Sequence, residues 1–426
     1  MKRIILTYLL AFAAAFSIDA QDSITLDMCY QKATENYPVF RQKELLSASN
    51  DLEIKNLNKN YLPKMVINGQ AHYQSDVTKT PFQDVTFPGL PVIPTVEKDW
   101  YKITLDVNEV IYDGSATARQ KKLEVIDLAI EQQNVDVELY KLKESINRVF
   151  FNILLLRENK KILRLHKANL DAKLKTVESG VKNGTILESN ADILKAEIIK
   201  IKQSISEIEI GLNASFKIMN EYTGLNLNKK TDFVVPDVFI DLNKYNNNRL
   251  EYSLLSLQQN KIEASKKLLG SKNLPQFSAF GQAGYGRPGY DMLKNEFDDF
   301  YMIGLRLHWN FYDWNHSKKE KEILDLRNEI INTKKETFDK NLRISLENKI
   351  AELKKIEEII ISDEEIIVLR TKISKSVSSQ LDNGVITSTE YLTEINAEAK
   401  AKLDMEIHKI QLIKAKLDYQ AALGDL

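Results

Sequence analysis

Apolar and polar residues alternate along the stretch from Tyr301 to Tyr312, which reads YMIGLRLHWNFY. A period of two places successive side chains on opposite faces, so this stretch predicts a β-strand with one apolar face. The apolar face carries Tyr301, Ile303, Leu305, Leu307, Trp309 and Phe311. The opposite face includes Arg306, His308 and Asn310.

A second stretch with the same pattern runs from Tyr101 to Tyr112 and reads YKITLDVNEVIY. Its apolar positions begin at Tyr101, and Asp106 and Asn108 lie on the opposite face. A half-buried strand of a soluble sandwich alternates in the same way. Strands of about eleven residues with aromatic residues near both ends also suit a membrane β-barrel. Alternation alone leaves both interpretations open.

The two strands belong to a unit that occurs twice in the chain. Residues 37–75 align with residues 249–287 at a constant offset of 212. The offset then falls to 200, which matches Tyr112 with Tyr312 and, later, Gly184 with Gly384. The chain therefore divides into a first repeat over residues 21–228 and a second over residues 229–426.

Each repeat is predicted to contain a helix, two strands, a very long helix and a further helix. The two helical segments at the end of each repeat form a hairpin. All nine prolines lie outside residues 95–235 and 289–426, and leucine and isoleucine follow heptad steps there, as in coiled helices. The predicted class is mainly α with a membrane β-barrel part. The strands are expected over residues 64–75, 100–113, 276–286 and 300–313, and the helical hairpins over residues 115–224 and 314–424.

The first twenty residues have the features of a secretory signal peptide. Met1-Lys2-Arg3 is a basic start, an apolar run follows, and Ala20 is a small residue suited to cleavage. No later run approaches the roughly eighteen apolar residues that mark a membrane helix. We therefore expect residues 1–20 to be removed on export and any membrane-spanning part of the remaining chain to be β-structure.

Four strands of this length are too few to close a barrel, for which about eight is the practical minimum. Open sheet edges are excluded from lipid because their N–H and C=O groups would lack partners. Several chains must therefore pool their strands, and three chains would supply twelve, an even number. The prediction is an oligomer, for which three chains are an allowed number, whose barrel contacts outer-membrane lipid and continues into a cylinder of coiled helices.

The order of these elements resembles the TolC family of outer-membrane efflux and secretion channels. The opening SITLDMCYQKATENYPVFRQK is similar to that family's N-terminal helix. VKNGTILESNADILKAE and LDNGVITSTEYLTEINAE resemble its two hairpin tips, around Gly184 and Gly384. The resemblance covers the whole exported chain and implies a homotrimer, a twelve-stranded barrel and a helical tunnel in the periplasm. It also implies that a periplasmic adaptor protein docks at the two tips and that an inner-membrane pump supplies the energy.

The resemblance further implies a pore constriction. Members of the family narrow the periplasmic mouth with acidic residues shortly after the second tip glycine. Counting from Gly384 places Glu390 at the first of these acidic positions, and Glu394 is displaced by one residue from the second. Asn190 and Asp192 occupy the same window in the first repeat. The carboxylates also fit a solvated helix face, so both roles stay open.

Composition and motifs argue against catalysis and nucleic-acid binding. With 59 basic and 60 acidic residues the net charge is −1, without the basic excess of a nucleic-acid surface. The five histidines are scattered, and no metalloprotease, nucleophile-elbow or phosphate-loop motif occurs. We expect no enzymatic activity, no metal and no cofactor.

The sequence therefore predicts an outer-membrane channel that serves as the exit duct of a tripartite efflux pump or type I secretion system. Drugs, metals and proteins all stay open as cargo. The alternative is a coiled-coil surface fibre or adhesin that uses its strands only as an anchor. The doubled strand pairs, with helices on both sides, disfavour the fibre because it needs only one anchor and one stalk direction.

Overall fold

The structure, a computed structural model, describes residues 23–78, 96–242, 247–292 and 294–426. The signal peptide predicted over residues 1–20 lies outside this part of the chain. The chain forms two compact units. Of the described residues, the first unit contains those up to Lys43, those of Gln133–Ser253 and those of Lys335–Leu426, and the second contains those of Glu44–Gln132 and of Leu254–Lys334.

The protein is mostly helical. Two helices of 67 residues are each followed by a helix of 36 residues. Within the described residues, no helix combines the length and apolarity that crossing a bilayer would require. The helices are α1 (Leu26–Asn36), α2 (Gln42–Asn58), α3 (Ala116–Lys182), α4 (Glu188–Thr223), α5 (Leu250–Leu269), α6 (His316–Asp382) and α7 (Ser388–Leu423).

The two long hairpins, α3–α4 and α6–α7, turn at glycines with a left-handed backbone. The φ angle is 70° at Gly184 and 69° at Gly384. A side chain in this conformation brings its Cβ too close to the backbone, which glycine avoids. An added Cβ at either glycine would meet no other atom within 4 Å, so backbone conformation rather than lack of room requires glycine here.

The apolar stripes of the long helices form two cores in the first unit. One contains Leu170 and Val177 of α3 with Leu194 of α4 and Leu381 of α6. The other contains Leu346, Leu353 and Ile356 of α6, packed against the end of α7. These heptad positions are buried because they lie on the side of each helix that faces its neighbours.

The strands are β1 (Ser23–Ile24), β2 (Lys64–Tyr73), β3 (Asp99–Tyr112), β4 (Asp232–Phe233), β5 (Gln276–Arg287) and β6 (Asp298–His308). The second unit contains an antiparallel sheet with the strand order β2-β3-β5-β6. The hairpins β2–β3 and β5–β6 are joined through β3 and β5, so β2 and β6 are the edges. A short parallel bridge joins β1 and β4 in the first unit.

The fourth strand ends earlier than the alternation predicts. We expected it to continue to residue 313, but β6 ends at His308, which pairs with Gln276. Pro275 precedes Gln276 and has no N–H to donate, so the ladder between β5 and β6 stops there. The equivalent strand β3 continues to Tyr112 because β5 also pairs with it on its other side.

The corners that lead from the sheet into α3 and α6 differ. The backbone is left-handed at both, with φ 68° at Gly114 and 53° at Trp314. A Cβ added at Gly114 would lie 2.9 Å from Leu274 Cβ and 2.9 Å from the Ser271 carbonyl oxygen, so this corner closes against the connection between α5 and β5. Trp314 instead exposes 82% of its surface.

Candidate functional site

The register of the sheet places alternating apolar residues of all four strands on one face. Ile67 of β2 pairs with Leu105 of β3, which pairs on its other side with Ala283 of β5. Ala283 in turn pairs with Tyr301 of β6. Every second residue of a strand shares a face, so this row and its neighbouring rows form one mainly apolar surface, interrupted by Glu109 of β3 and Asp299 of β6.

This apolar surface is exposed rather than packed on a core. Tyr301, Ile303 and Leu305 expose 78%, 80% and 78% of their surfaces, and Ile67 exposes 72%. Leu307 is also exposed. A sheet in a water-soluble domain packs its apolar face on a core and turns its polar face to water. Here the apolar face is left exposed instead, which suits a surface that contacts an apolar medium.

Three residues predicted for the last strand lie beyond its end. Trp309, Asn310 and Phe311 follow His308, so strand alternation no longer assigns them to a face. The indole nitrogen of Trp309 donates a hydrogen bond to the Asn273 carbonyl at 3.2 Å. The assignment of Trp309 and Phe311 to lipid and of Asn310 to the lumen stays a prediction that the register does not support.

Asp106 is the centre of a hydrogen-bond network on the opposite, polar face. Its carboxylate accepts hydrogen bonds from Asn68 Nδ2 at 2.6 Å, Thr104 Oγ1 at 3.0 Å and Gln282 Nε2 at 2.5 Å. The donors belong to β2, β3 and β5, so one carboxylate ties three strands together. The register places three further residues predicted for the lumen on the same face: Asn108, Arg306 and His308.

The polar face also holds two phenylalanines with cations above their rings. The Arg306 guanidinium lies 4.9 Å from the centroid of the Phe280 ring. The Lys102 ammonium lies 4.7 Å from the centroid of the Phe300 ring, and Phe300 is only 8% exposed. Such cation–π contacts stabilise a charge beside an apolar ring. The sequence shows Phe280 as an interruption of the polar pattern, but nothing local in the sequence reveals the cations.

At the end of the second hairpin, Glu390 is part of a helix cap. Its Oε2 accepts hydrogen bonds from the Thr387 N–H at 2.8 Å and the Thr387 hydroxyl at 2.9 Å, while Thr387 Oγ1 accepts from the Glu390 N–H. This reciprocal pair is a capping box at the start of α7. The bonds from the Thr387 backbone and hydroxyl hold the pKa of Glu390 below its usual value. The T-x-x-E spacing was a signal in the sequence for this role.

The other two acidic residues expected at the constriction carry ion pairs. Glu394 Oε2 lies 2.7 Å from Arg370 Nη1, and this pair joins α7 to α6. Asp192 lies 3.4 Å from Lys195 on the next turn of α4, and its side chain is 65% exposed. An exposed ion pair of this kind contributes at most about 1 kcal/mol to the free energy of unfolding. All three carboxylates therefore have a partner within their own chain.

Asn190 joins the two hairpins instead of presenting a free side chain. Its Oδ1 accepts a hydrogen bond from the Ser388 N–H at 2.9 Å. Ser388 begins α7, and the first N–H groups of a helix have no partner within it. Asn190 of α4 thus satisfies one of these donors in α7. Across the described residues, no group of three His, Cys, Asp or Glu side chains is placed to hold a metal ion.

Lys173 makes a second link between the hairpins, which sequence reasoning missed. It is 8% exposed, and its ammonium donates hydrogen bonds to the Ser378 carbonyl and hydroxyl and to Asp382 Oδ1 at 2.7 Å. Lys173 belongs to α3 and its partners to α6. The one signal in the sequence is its spacing of three from Leu170 and four from Val177, which puts it beside the buried stripe.

Solved outer-membrane channels have this architecture. The outer membrane protein VceC from Vibrio cholerae matches over 94% of this chain and 96% of its own, with a TM-score of 0.67 and 11% identity. The CmeC channel from Campylobacter jejuni matches over 94% and 85%, with a TM-score of 0.66 and 12% identity. The open MtrE channel from Neisseria gonorrhoeae matches over 94% and 88%, with a TM-score of 0.64 and 12% identity.

No family model matches the sequence, and no curated protein matches it. The similarity of structure nevertheless extends over nearly the whole chain. The chain therefore has the fold of these outer-membrane channels, which confirms the fold that the resemblance to the TolC family implied.

Proposed function

We propose that the protein is an outer-membrane channel with its sheet in the membrane and its helical hairpins in the periplasm. The observation that carries the proposal is the exposed apolar face of the sheet. Ile303 and Leu305 expose about four-fifths of their surfaces, while Asp106 on the other face binds donors from three strands. Removing one such apolar side chain from water stabilises a protein by about 1.5–3 kcal/mol, which lipid would supply. The polar face suits a water-filled lumen.

A homotrimer would satisfy the edges of the sheet. Each edge strand, β2 and β6, has one ladder neighbour among the described strands. In lipid, an unpaired N–H or C=O group costs several kcal/mol because no water can replace its partner. Three copies joined from β6 of one chain to β2 of the next would close twelve strands and leave no edge.

The internal repeat predicts which residues meet at the seam between copies. Within one chain, Leu105 of β3 lies opposite Ala283 of β5. At the two offsets of the repeat, Leu305 corresponds to Leu105 and Ala71 corresponds to Ala283. Leu305 of one copy should therefore lie opposite Ala71 of the next.

Disulfide cross-linking tests the seam. A variant with Leu305→Cys and Ala71→Cys should form covalent trimers on oxidation, because opposite residues of an antiparallel ladder have Cα atoms about 4.5–5.5 Å apart. The control pair Leu305→Cys and Tyr73→Cys is displaced by two residues and should not cross-link. The native Cys29 can stay, since burial raises the pKa of its thiol to about 12 and leaves it unreactive.

The trimer and the register of its seam are refuted by different results. A protein that is trimeric by light scattering but does not cross-link through Leu305→Cys and Ala71→Cys would contradict the register. A stable monomer in detergent would contradict the trimer itself.

We further propose that the channel is the exit duct of a tripartite efflux or secretion machine. It would pass solutes or polypeptide from the periplasm to the outside, and an inner-membrane pump would supply the energy. Apolar side chains beside the tips support docking of a periplasmic adaptor at Gly184 and Gly384: Leu187 is 74% exposed and Val385 71% exposed. Exposed apolar residues rimmed by polar ones are typical of protein contact sites.

Planar bilayers and export assays test this role together. The purified trimer should conduct ions in discrete steps, and inserted trimers without conductance would refute the channel. Leu187→Asp with Val385→Asp should abolish adaptor-dependent export and leave bilayer conductance unchanged. Export at the normal rate in that variant would remove the tips from the docking surface.

A further inference from the structure

The segment after β5 folds over the polar face of the sheet. Tyr290 donates a hydrogen bond from its hydroxyl to Gln282 Oε1 at 2.9 Å. Its ring centroid lies 4.6 Å from that of Phe300 at an angle of 54°. Gln282 and Phe300 both lie on the face that carries Asp106. Tyr290 is thus held against the polar face by two independent contacts.

A lysine from the neighbouring hairpin completes this cluster. The Lys102 ammonium lies 4.7 Å from the Phe300 ring centroid and 5.6 Å from the Tyr290 ring centroid. Lys102 belongs to β3, Phe300 to β6 and Tyr290 to the loop between β5 and β6. The cation therefore links the loop to a strand from the other half of the chain.

Glycine provides the room for this packing. A Cβ at Gly284 would lie 2.3 Å from Cζ of Phe300, far inside any permitted contact. Phe300 can therefore lie flat across β5 only because residue 284 has no side chain. The ring is 8% exposed in a region where the apolar face of the same sheet is open. The sheet thus has a small core on its polar side, at the loop end of the strands.

We propose that Tyr290, Phe300 and Lys102 form a constriction at the loop end of the channel, separate from the helical hairpin end. The inference rests on the proposed function, which places the polar face in the lumen. In a trimer, three copies of Tyr290 narrow the mouth from three sides. Tyr290 is 49% exposed, so each ring presents an aromatic surface to passing solutes. The width of this mouth sets which solutes leave.

Size-graded polyethylene glycols measure each mouth separately. The chain should insert with its helical part on the side of addition, because long polar helices do not cross lipid. Polymer added to the opposite side then reaches the loop end, and the polymers that enter lower the conductance. Tyr290→Ala should shift the size cut-off on that side to larger polymers and leave the cut-off on the helical side unchanged.

Two variants serve as controls. Tyr285→Ala removes a tyrosine of similar exposure, 53%, from the apolar face near the same loop, and should not change either cut-off. Phe300→Ala removes the ring under Tyr290 and should reproduce the shift, and the double variant should add nothing to it. An unchanged cut-off at the loop side in trimeric, conducting Tyr290→Ala overturns the constriction alone. A wild-type trimer that does not conduct overturns the proposed function and the constriction with it.

Discussion

Leu305→Arg distinguishes a sheet that faces lipid from one that faces water. Leu305 is 78% exposed and lies in β6, opposite Ala279. In water, a substitution at so exposed a position changes the free energy of unfolding by no more than about 0.5 kcal/mol. In a bilayer, an arginine on the lipid face near the midplane of measured barrels costs about 2–4 kcal/mol. The two environments therefore predict effects that do not overlap.

The expected loss in lipid is large enough to measure by equilibrium unfolding. At about 1.4 kcal/mol for each factor of ten, it lowers the folding equilibrium constant about 30-fold to 700-fold per chain. Denaturant titration of protein reconstituted in phospholipid vesicles, followed by tryptophan fluorescence, gives the midpoint and the slope. The midpoint should fall at unchanged slope, because the substitution alters stability and not the surface exposed on unfolding.

Met302→Arg is the matched control. Met302 lies in the same strand, is 43% exposed and pairs with Gln282 on the polar face. An arginine there faces water in the proposed lumen and should cost less than ~1 kcal/mol. Equal losses in the two variants, or a loss below about 0.5 kcal/mol for Leu305→Arg, would refute the assignment of the two faces.

The remaining predictions concern the hairpin ends. If three Glu390 carboxylates face the pore, Glu390→Ala should raise anion permeability in planar bilayers. Thr387→Ala is the control, because it removes the same helix cap but keeps the charge of Glu390. Equal changes of anion permeability in the two variants would assign the change to loss of the cap and not to loss of the charge. Thr387→Ala should also speed hydrogen exchange in the first turn of α7, at a cost of roughly 0.5–2 kcal/mol. Because the folded pKa of Glu390 is lowered, its stabilisation is present above the unfolded value, about 4.3, and is lost as pH falls through the folded pKa. Protection in that turn, taken relative to the intrinsic exchange rate at each pH, should therefore fall as pH drops to about 2, and unchanged protection would contradict this. Lys173→Met keeps the bulk but removes the bonds to Ser378 and Asp382, so hairpin-end stability should fall by about 1–3 kcal/mol, measurable by denaturant titration.

Local periodicity predicted the strands more reliably than their ends. Leu105 and Leu305 lie on one face because alternation depends only on the pleat of each strand. The end of β6 at His308 depends on which strand lies at the edge and on Pro275 in its neighbour. That information is topological, and no pattern within residues 301–312 contains it.

The residues of the candidate site also differ in how far the sequence alone indicates their roles. The capping box of Thr387 and Glu390 is a four-residue pattern that the sequence contains, although the sequence analysis assigned Glu390 only to a constriction or a solvated helix face. The buried position of Lys173 was indicated only by its spacing from apolar neighbours. The contacts among Lys102, Tyr290 and Phe300 join three separate segments, so only the folded chain reveals them.

The unlike corners at Gly114 and Trp314 bear on the origin of the doubled chain. Gly114 leaves no space for a side chain, whereas the equivalent position carries the largest one. Six identical single-repeat chains would be forced to use one residue at all six corners of a ring. When two repeats are fused in one chain, the corner at Gly114 and the corner at Trp314 can carry different residues. In the homotrimer that we propose, the closed ring would have threefold but not sixfold symmetry, with three glycine corners alternating with three tryptophan corners.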